Sequence, residues 1–223
     1  ILGSFLVTLG AIVIAVPLGI AAAVYVAEVA PRWLRDILKT GIELLAAIPS
    51  IVLGFIGIVT LAPFLKSVFN LPSGLTALAG SIMLAFMSMP TIVSIIEDAI
   101  TSIPKSYKEG SLALGATRWQ TLYRVMLPAA SSGILAAIML GIGRVIGETM
   151  AVLMVVGNVA QVPKSIFDAA YPLPALIANN YGEMMSIPLY DAALLGAALI
   201  LLLVVLIFNI GSRLLLMRLA RYN

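Results

Sequence analysis

The chain has 223 residues, 62% of them hydrophobic and 10% charged, with a mean hydropathy of +1.14, whereas soluble domains carry about 25% charged residues. The composition is that of a membrane protein. With no cysteine and no histidine, disulfides, thiolate nucleophiles, imidazole bases and Cys or His metal sites are excluded. The formal charge of +3 says less than where the positive charges stand.

Residues 1–27 carry no charge. The run exceeds the roughly 20 apolar residues that cross a hydrocarbon core and lacks the basic leader of a signal peptide. Four more spans are predicted over 44–65, 74–96, 129–158 and 188–211. Pro17, Pro49, Pro63 and Pro90 fall inside them, which suits kinked helices supported by neighbours. Arg32, Arg35 and Lys39 follow the first span, Lys105, Lys108, Arg118 and Arg124 the third, and Arg213, Arg218 and Arg221 the fifth. Those ten of the thirteen Lys and Arg share one side of the alternation, leaving Lys66 and Lys164 opposite and Arg144 within a span. The rich side is predicted to be cytoplasmic, which puts residue 1 outside, the C-terminus inside and at least one further span upstream. No fixed-period repeat or low-complexity tract divides the chain, so 1–223 reads as a single transmembrane domain.

The loop 97–128 carries the most local signal. Ser106 to Glu109 and Thr117 to Gln120 both fit the capping box, and Gly115 stands where a helix end commonly needs a left-handed residue. The expectation is helix, glycine turn, helix, with the second helix stopped by Pro128. A first helix of about eight residues is too short to persist alone in water, where about 12 to 15 are needed. Leu112, Leu114, Trp119, Leu122, Tyr123 and Met126 supply apolar surface beside Lys108, Arg118 and Arg124. They suit either a groove in a partner or the chain's own helix ends and lipid headgroups.

Glu109-Gly110-Ser111, Gly115, and Val125-Met126-Leu127-Pro128 resemble the EAA loop of ABC-importer inner-membrane permeases. Gly and Ser replace the two alanines of that pattern, and Val replaces its Ile. The resemblance implies an all-α polytopic membrane protein with the type I ABC-importer permease fold. It further implies that residues 106–119 form a coupling helix seated in a cleft of a cytoplasmic ATPase, with Glu109, Gly110, Ser111, Leu114, Gly115, Trp119, Leu127 and Pro128 as the coupling residues. No lysine follows the G-x-x-x-x-G of a P-loop. ATP and Mg would therefore be bound by a separate ATP-binding cassette ATPase dimer, with no cofactor in this chain.

Arg144 and Glu148 lie one helical turn apart in the predicted fourth span. An arginine near a span centre costs roughly 2.5 to 3.5 kcal/mol, whereas an i,i+4 pair returns only about 0.2 to 0.5 kcal/mol in water. They are therefore expected in the bundle interior or beside a water-filled path. The pair serves either as an interhelical lock or as a substrate-path site, where a guanidinium fork matches a tetrahedral oxyanion. Gly141, Gly143 and Gly147 would let a helix or ligand approach the backbone, although small residues are also ordinary packing devices. A carboxylate beside the arginine suits hydrogen phosphate better than sulfate, since it accepts a hydrogen bond from the protonated oxyanion.

Gly143-Arg144 and Gly147-Glu148-Thr149-Met150-Ala151-Val152, ending at Gly157-Asn158, resemble the phosphate-specific branch of these permeases, the PstC-type subunit more than its PstA-type companion. That implies a permease subunit of an ATP-driven importer of inorganic phosphate, forming half of an alternating-access pathway with Arg144, Glu148 and Thr149 on it. The implied partners are a homologous second permease, an extracytoplasmic phosphate-binding protein and membrane lipid, with no nucleic acid. The implied location is the bacterial or archaeal plasma membrane. Competing readings are a sulfate or molybdate permease and a self-sufficient secondary transporter with Glu148 as a cation site. The segment 159–190, rich in Pro and Tyr, suits either an outer gate that docks the binding protein or a loop packed over the bundle. Residues 29–40 and the tail 213–223 read as topogenic, basic helix flanks.

Overall fold

Every fourth residue of the first helix that meets the bundle is glycine, alanine or valine. The structure is a computed structural model describing residues 1–182 and 188–219. Its helix α1, Leu2–Val29, buries Gly3, Val7, Ala11, Ala15, Gly19 and Ala23. A stripe this small lets two backbones approach closely, the usual packing device where lipid supplies no hydrophobic drive between helices. The partner is α4, Ala77–Thr101, the most enclosed span, with 67% of its apolar window buried. Ile92 of α4 is the wedge at the centre. A Cβ on Gly19 would lie 2.7 Å from its Cγ2, and one on Gly141, on the opposite flank, 2.8 Å from its side chain.

Between these spans the chain departs from the sequence expectation. Leu44 to Ala47 belong to an amphipathic helix α2, Arg32–Ala47, and the second span, α3, covers Ser50–Phe69 instead of starting at 44. Pro49 separates the two. Its ring disfavours the helical region for the preceding residue, and Ile48 is accordingly extended, with ψ 126°. Pro49 thus opens the span rather than kinking it. Pro17 and Pro90 do lie within helices, and Pro63 follows a π turn over Gly57–Leu61.

After α4 come α5, Lys105–Ala113, α6, Arg118–Ala129, and α7, Ser131–Gly147, the last two bent by 66°. Pro128 does not stop α6. The π turn Leu122–Met126 precedes it, with the Leu127 N–H reaching back to the Leu122 carbonyl, and this wider winding makes room for a proline ring that would clash in a regular helix. The break falls at Ala130 (φ −83°, ψ 0°). The predicted continuous span 129–158 is also broken at its far end, where Glu148 and Thr149 separate α7 from the short α8, Met150–Val155. Among the described residues, four helices are long and apolar enough to cross a membrane, α1, α3, α4 and α10 (Pro188–Leu219), or five if α6 and α7 count as one span.

The segment after α8 folds over the start of α4. Carbonyls of Asp168 and Ile166 accept from the Ala77 and Leu78 amides at 2.8 Å each, and the Asp168 carboxylate accepts from the Lys164 and Ser165 amides. The first two bonds satisfy helix-terminal donors of α4 that would otherwise be left open. Helix α9, Leu173–Asn180, buries Leu173, Pro174 and Ala175, so the described part of 159–190 packs over the bundle. Residues 183–187 of that segment, and Arg221 with the rest of 220–223, lie outside the described residues.

Candidate functional site

Two places combine functional residue types with unusual backbone. In the first, α5 ends in a Schellman motif. The Gly115 amide bonds to the Leu112 carbonyl at 3.0 Å and the Ala116 amide to the Ser111 carbonyl at 3.2 Å. Gly115 has φ +86° and no atom within 4 Å of where a Cβ would stand, so conformation, not crowding, selects glycine. The box at Thr117 forms in full. Gln120 N–H donates to Thr117 Oγ1 at 3.2 Å, and Thr117 N–H donates to Gln120 Oε1 at 2.9 Å.

The other predicted box, Ser106 to Glu109, does not form. Pro104 is the N-cap, with φ −55° and ψ 134° and no side-chain cap. Its fixed ring starts the helix at Lys105 and leaves Ser106 already within the first turn. Glu109, Gly110, Leu114, Gly115 and Trp119 are exposed, as are Leu112, Tyr107 and Tyr123. Leu122 and Met126 are 5% and 4% exposed and belong to the chain's own core. The apolar residues of the loop thus divide between two roles, one set packed inward and one facing out.

Sequence reading missed what holds the loop to the bundle. Lys108 forms an ion pair with Glu28 at the end of α1, and Ser111 Oγ lies 3.0 Å from the hydroxyl of buried Thr121. A cavity of about 480 Å³ opens between them, lined by Glu28, Lys108, Arg118 and Trp119 among others. Leu127 and Pro128 sit where α6 turns into α7.

The second place is the break between α7 and α8. Glu148 is extended (ψ 131°), so Arg144 and Glu148 do not share one continuous helical face, and among the described residues no ion pair joins them. Arg144 instead donates through Nη1 to Thr91 Oγ1 of α4 at 2.8 Å. Arg144 is exposed and Glu148 half-buried. The two line one small crevice with Ser88, and Glu148 faces a second with Ser4 and Thr8 of α1. Thr149 Oγ1 bonds back to the Gly147 carbonyl at 3.3 Å. Gly141 packs on Ile92, as expected of a close helix approach, whereas Gly143 and Gly147 have nothing within 4 Å of an added Cβ. An arginine flanked by bare glycine backbone and anchored by one neutral hydroxyl can still offer donors to an anion.

A second intramembrane carboxylate also went unread. Glu97 is 2% exposed and pairs with Lys39 of α2, Nζ to Oε2 2.7 Å. This hydrogen bond is the main reason the Lys39 ammonium titrates above its ordinary 10.5. A carboxylate at the edge of an apolar run was the available signal; ending the third span at 96 hid it.

A family model described as "Binding-protein-dependent transport system inner membrane component" matches residues 15–221. The chain is 44% identical over 218 residues to the "Probable ABC transporter permease protein YqgH" of Bacillus subtilis, covering 96% of this chain and 71% of that protein. It is 37% identical to the "Phosphate transport system permease protein PstC" of Mesorhizobium japonicum, covering 98% and 72%, and 35% identical to that of Pasteurella multocida, covering 99% and 74%. The fold is similar to that of a chain in inward-facing structures of the MetNI methionine ABC transporter, with a TM-score of 0.68 and 22% identity over 97% of this chain and 90% of that one. With its multi-pass helical fold, the chain therefore belongs to the binding-protein-dependent transport family, as an inner-membrane permease component of an ABC importer rather than an enzyme.

Proposed function

We propose that the chain is one half of the translocation pathway of an ATP-driven importer of inorganic phosphate. The observation that carries this reading is the exposed Arg144 guanidinium, held by Thr91 beside the Glu148 carboxylate at a break in a span, in a chain 35% to 37% identical to phosphate permeases over nearly its whole length. The arginine offers the fork that an oxyanion needs, and Glu148 accepts from a protonated phosphate but has no donor to meet on sulfate. Thr149 closes the same turn. The open face at Gly143 and Gly147 is left for a homologous second permease to complete the path.

Residues 106–119 are the coupling helix, and their outward face of Glu109, Gly110, Leu114, Gly115 and Trp119 meets an ATP-binding cassette ATPase dimer that holds ATP and Mg. Leu127 and Pro128 transmit its movement at the bend into α7, Ser111 keeps α5 on α6 through Thr121, and the Lys108–Glu28 pair ties α5 to α1. By the positive-inside rule the end bearing α2 and α5 is cytoplasmic, and so is the C-terminus. Phosphate then arrives from an extracytoplasmic phosphate-binding protein on the α9 side, and alternating access follows ATP-driven closure of the ATPases.

ATP-dependent phosphate uptake by vesicles carrying the full complex tests both assignments. Asp tolerates the left-handed region better than most residues, so Gly115→Asp adds charge to the docking face at little cost to the turn. It should release the ATPase from the membrane. Arg144→Gln should leave the complex assembled but strongly impaired in phosphate uptake. Uptake that ignores ATP and survives the loop change overturns the coupling assignment, and a complex that moves sulfate as readily as phosphate overturns the substrate.

A further inference from the structure

Helix α2 presents three faces. Leu34, Arg35, Leu38, Lys39 and Ile42 are half-buried against the bundle. Arg35 there donates through Nε to the Val26 carbonyl at 2.8 Å and through its fork to that of Ala27, while Lys39 holds Glu97. Arg32, Asp36, Thr40 and Glu43 are exposed and polar. At helical spacing they form a second face. Trp33, Ile37 and Leu44 form the third, about 100° around the helix from Arg32, Asp36 and Glu43 and turned away from the bundle, and are 66%, 59% and 66% exposed.

We infer that α2 lies along the membrane surface with Trp33, Ile37 and Leu44 inserted at the boundary between lipid headgroups and acyl chains. A helix fixed by one side to a bundle, with one of its two remaining flanks apolar and the other charged, has the polarity of that boundary. The helix joins two spans that themselves expose apolar side chains at the ends it connects, Tyr25 and Val29 at the end of α1 and Ile51, Val52 and Phe55 at the start of α3. Tryptophan favours this depth because its ring is apolar and its N–H wet. A protein partner fits less well, since three side chains in a row fall far short of the roughly 800 Å² per partner that a stable interface covers. Arg35 and Lys39 are spent on the bundle, so they hold the helix in place while the stripe faces lipid. The inference needs only that the chain spans a bilayer, and does not depend on its substrate.

The chain has no cysteine, so single nitroxide labels can be placed by Ile37→Cys and by Asp36→Cys in the assembled complex, its other subunits freed of cysteine, in phospholipid vesicles. The label at 37 should collide more often with dissolved oxygen than with a water-soluble nickel chelate, and the adjacent label at 36 should do the reverse. Equal preference for the chelate at both positions would mean that the stripe faces water. A label at 37 that neither reagent reaches would mean that another protein covers it. Either result overturns the lipid assignment.

Discussion

Two carboxylates stand in apolar surroundings, and the chain treats them oppositely. Glu97, near the end of α4, is enclosed and answered by Lys39 at 2.7 Å. Glu148, at the α7–α8 break, has no cation of its own chain paired to it among the described residues, and the nearby Arg144 is held only by a neutral threonine. A charge closed within the chain is part of the structure. A charge left with spare hydrogen-bonding capacity is open to a ligand, and on the proposed reading that difference, more than the presence of charge, separates scaffold from site.

The contrast breaks if the two sites respond alike to mutation. Lys39→Ala leaves the Glu97 charge enclosed without its partner, and the expected loss is about 3 kcal/mol, the low end for a buried pair because Lys39 is itself half exposed. Thermal unfolding of the detergent-solubilised complex measures it. The folded-state value of Lys39 is raised, so the pair contributes fully below pH 10.5, the ordinary value, and its contribution fades only as pH rises above that. From about pH 6 to 9 the difference between parent and Lys39→Ala attributable to Lys39 should therefore stay constant.

Arg144→Gln should behave in the opposite way. Losing a charged hydrogen-bond donor of about 1.5 to 3 kcal/mol lowers phosphate uptake on the order of 10- to 100-fold, while the melting temperature stays near that of the parent because the one interhelical bond of Arg144, to Thr91, lies at an exposed site. A melting temperature that falls with uptake would return Arg144 to the scaffold. Thr91→Val sharpens the point, since it frees the guanidinium and should weaken uptake less than Arg144→Gln does.

What was legible in the sequence follows the range of the interactions. Gly115 and the Thr117 box are settled within four or five residues, and they appear as expected. The Ser106 box was equally well formed as a pattern, but Pro104 fixed the helix start two residues earlier. Arg144 and Glu148 were recognisable by type, yet their relation depends on where α7 ends, and the expected i,i+4 geometry does not exist. The pairs Lys39–Glu97 and Lys108–Glu28 join residues 58 and 80 positions apart, beyond any periodicity. Leu122 and Met126 could not be told from their exposed neighbours for the same reason, because only the packing of α6 on the bundle decides which apolar residues turn inward.

The loop extends the comparison to smaller energies, because its two helix starts look alike in sequence and differ in space. Gly115→Val forces a β-branched residue into the left-handed region, at a cost of about 1 to 2 kcal/mol. Thr117→Ala removes a cap that forms, about 1 kcal/mol, and amide exchange across 118–121 should quicken roughly fivefold. Ser106→Ala removes a hydroxyl that caps nothing, and exchange across α5 should change by less than the equivalent of about 0.5 kcal/mol. Equal effects at Thr117 and Ser106 would mean that the capping box at 106 forms after all and that Pro104 does not set the start of the helix.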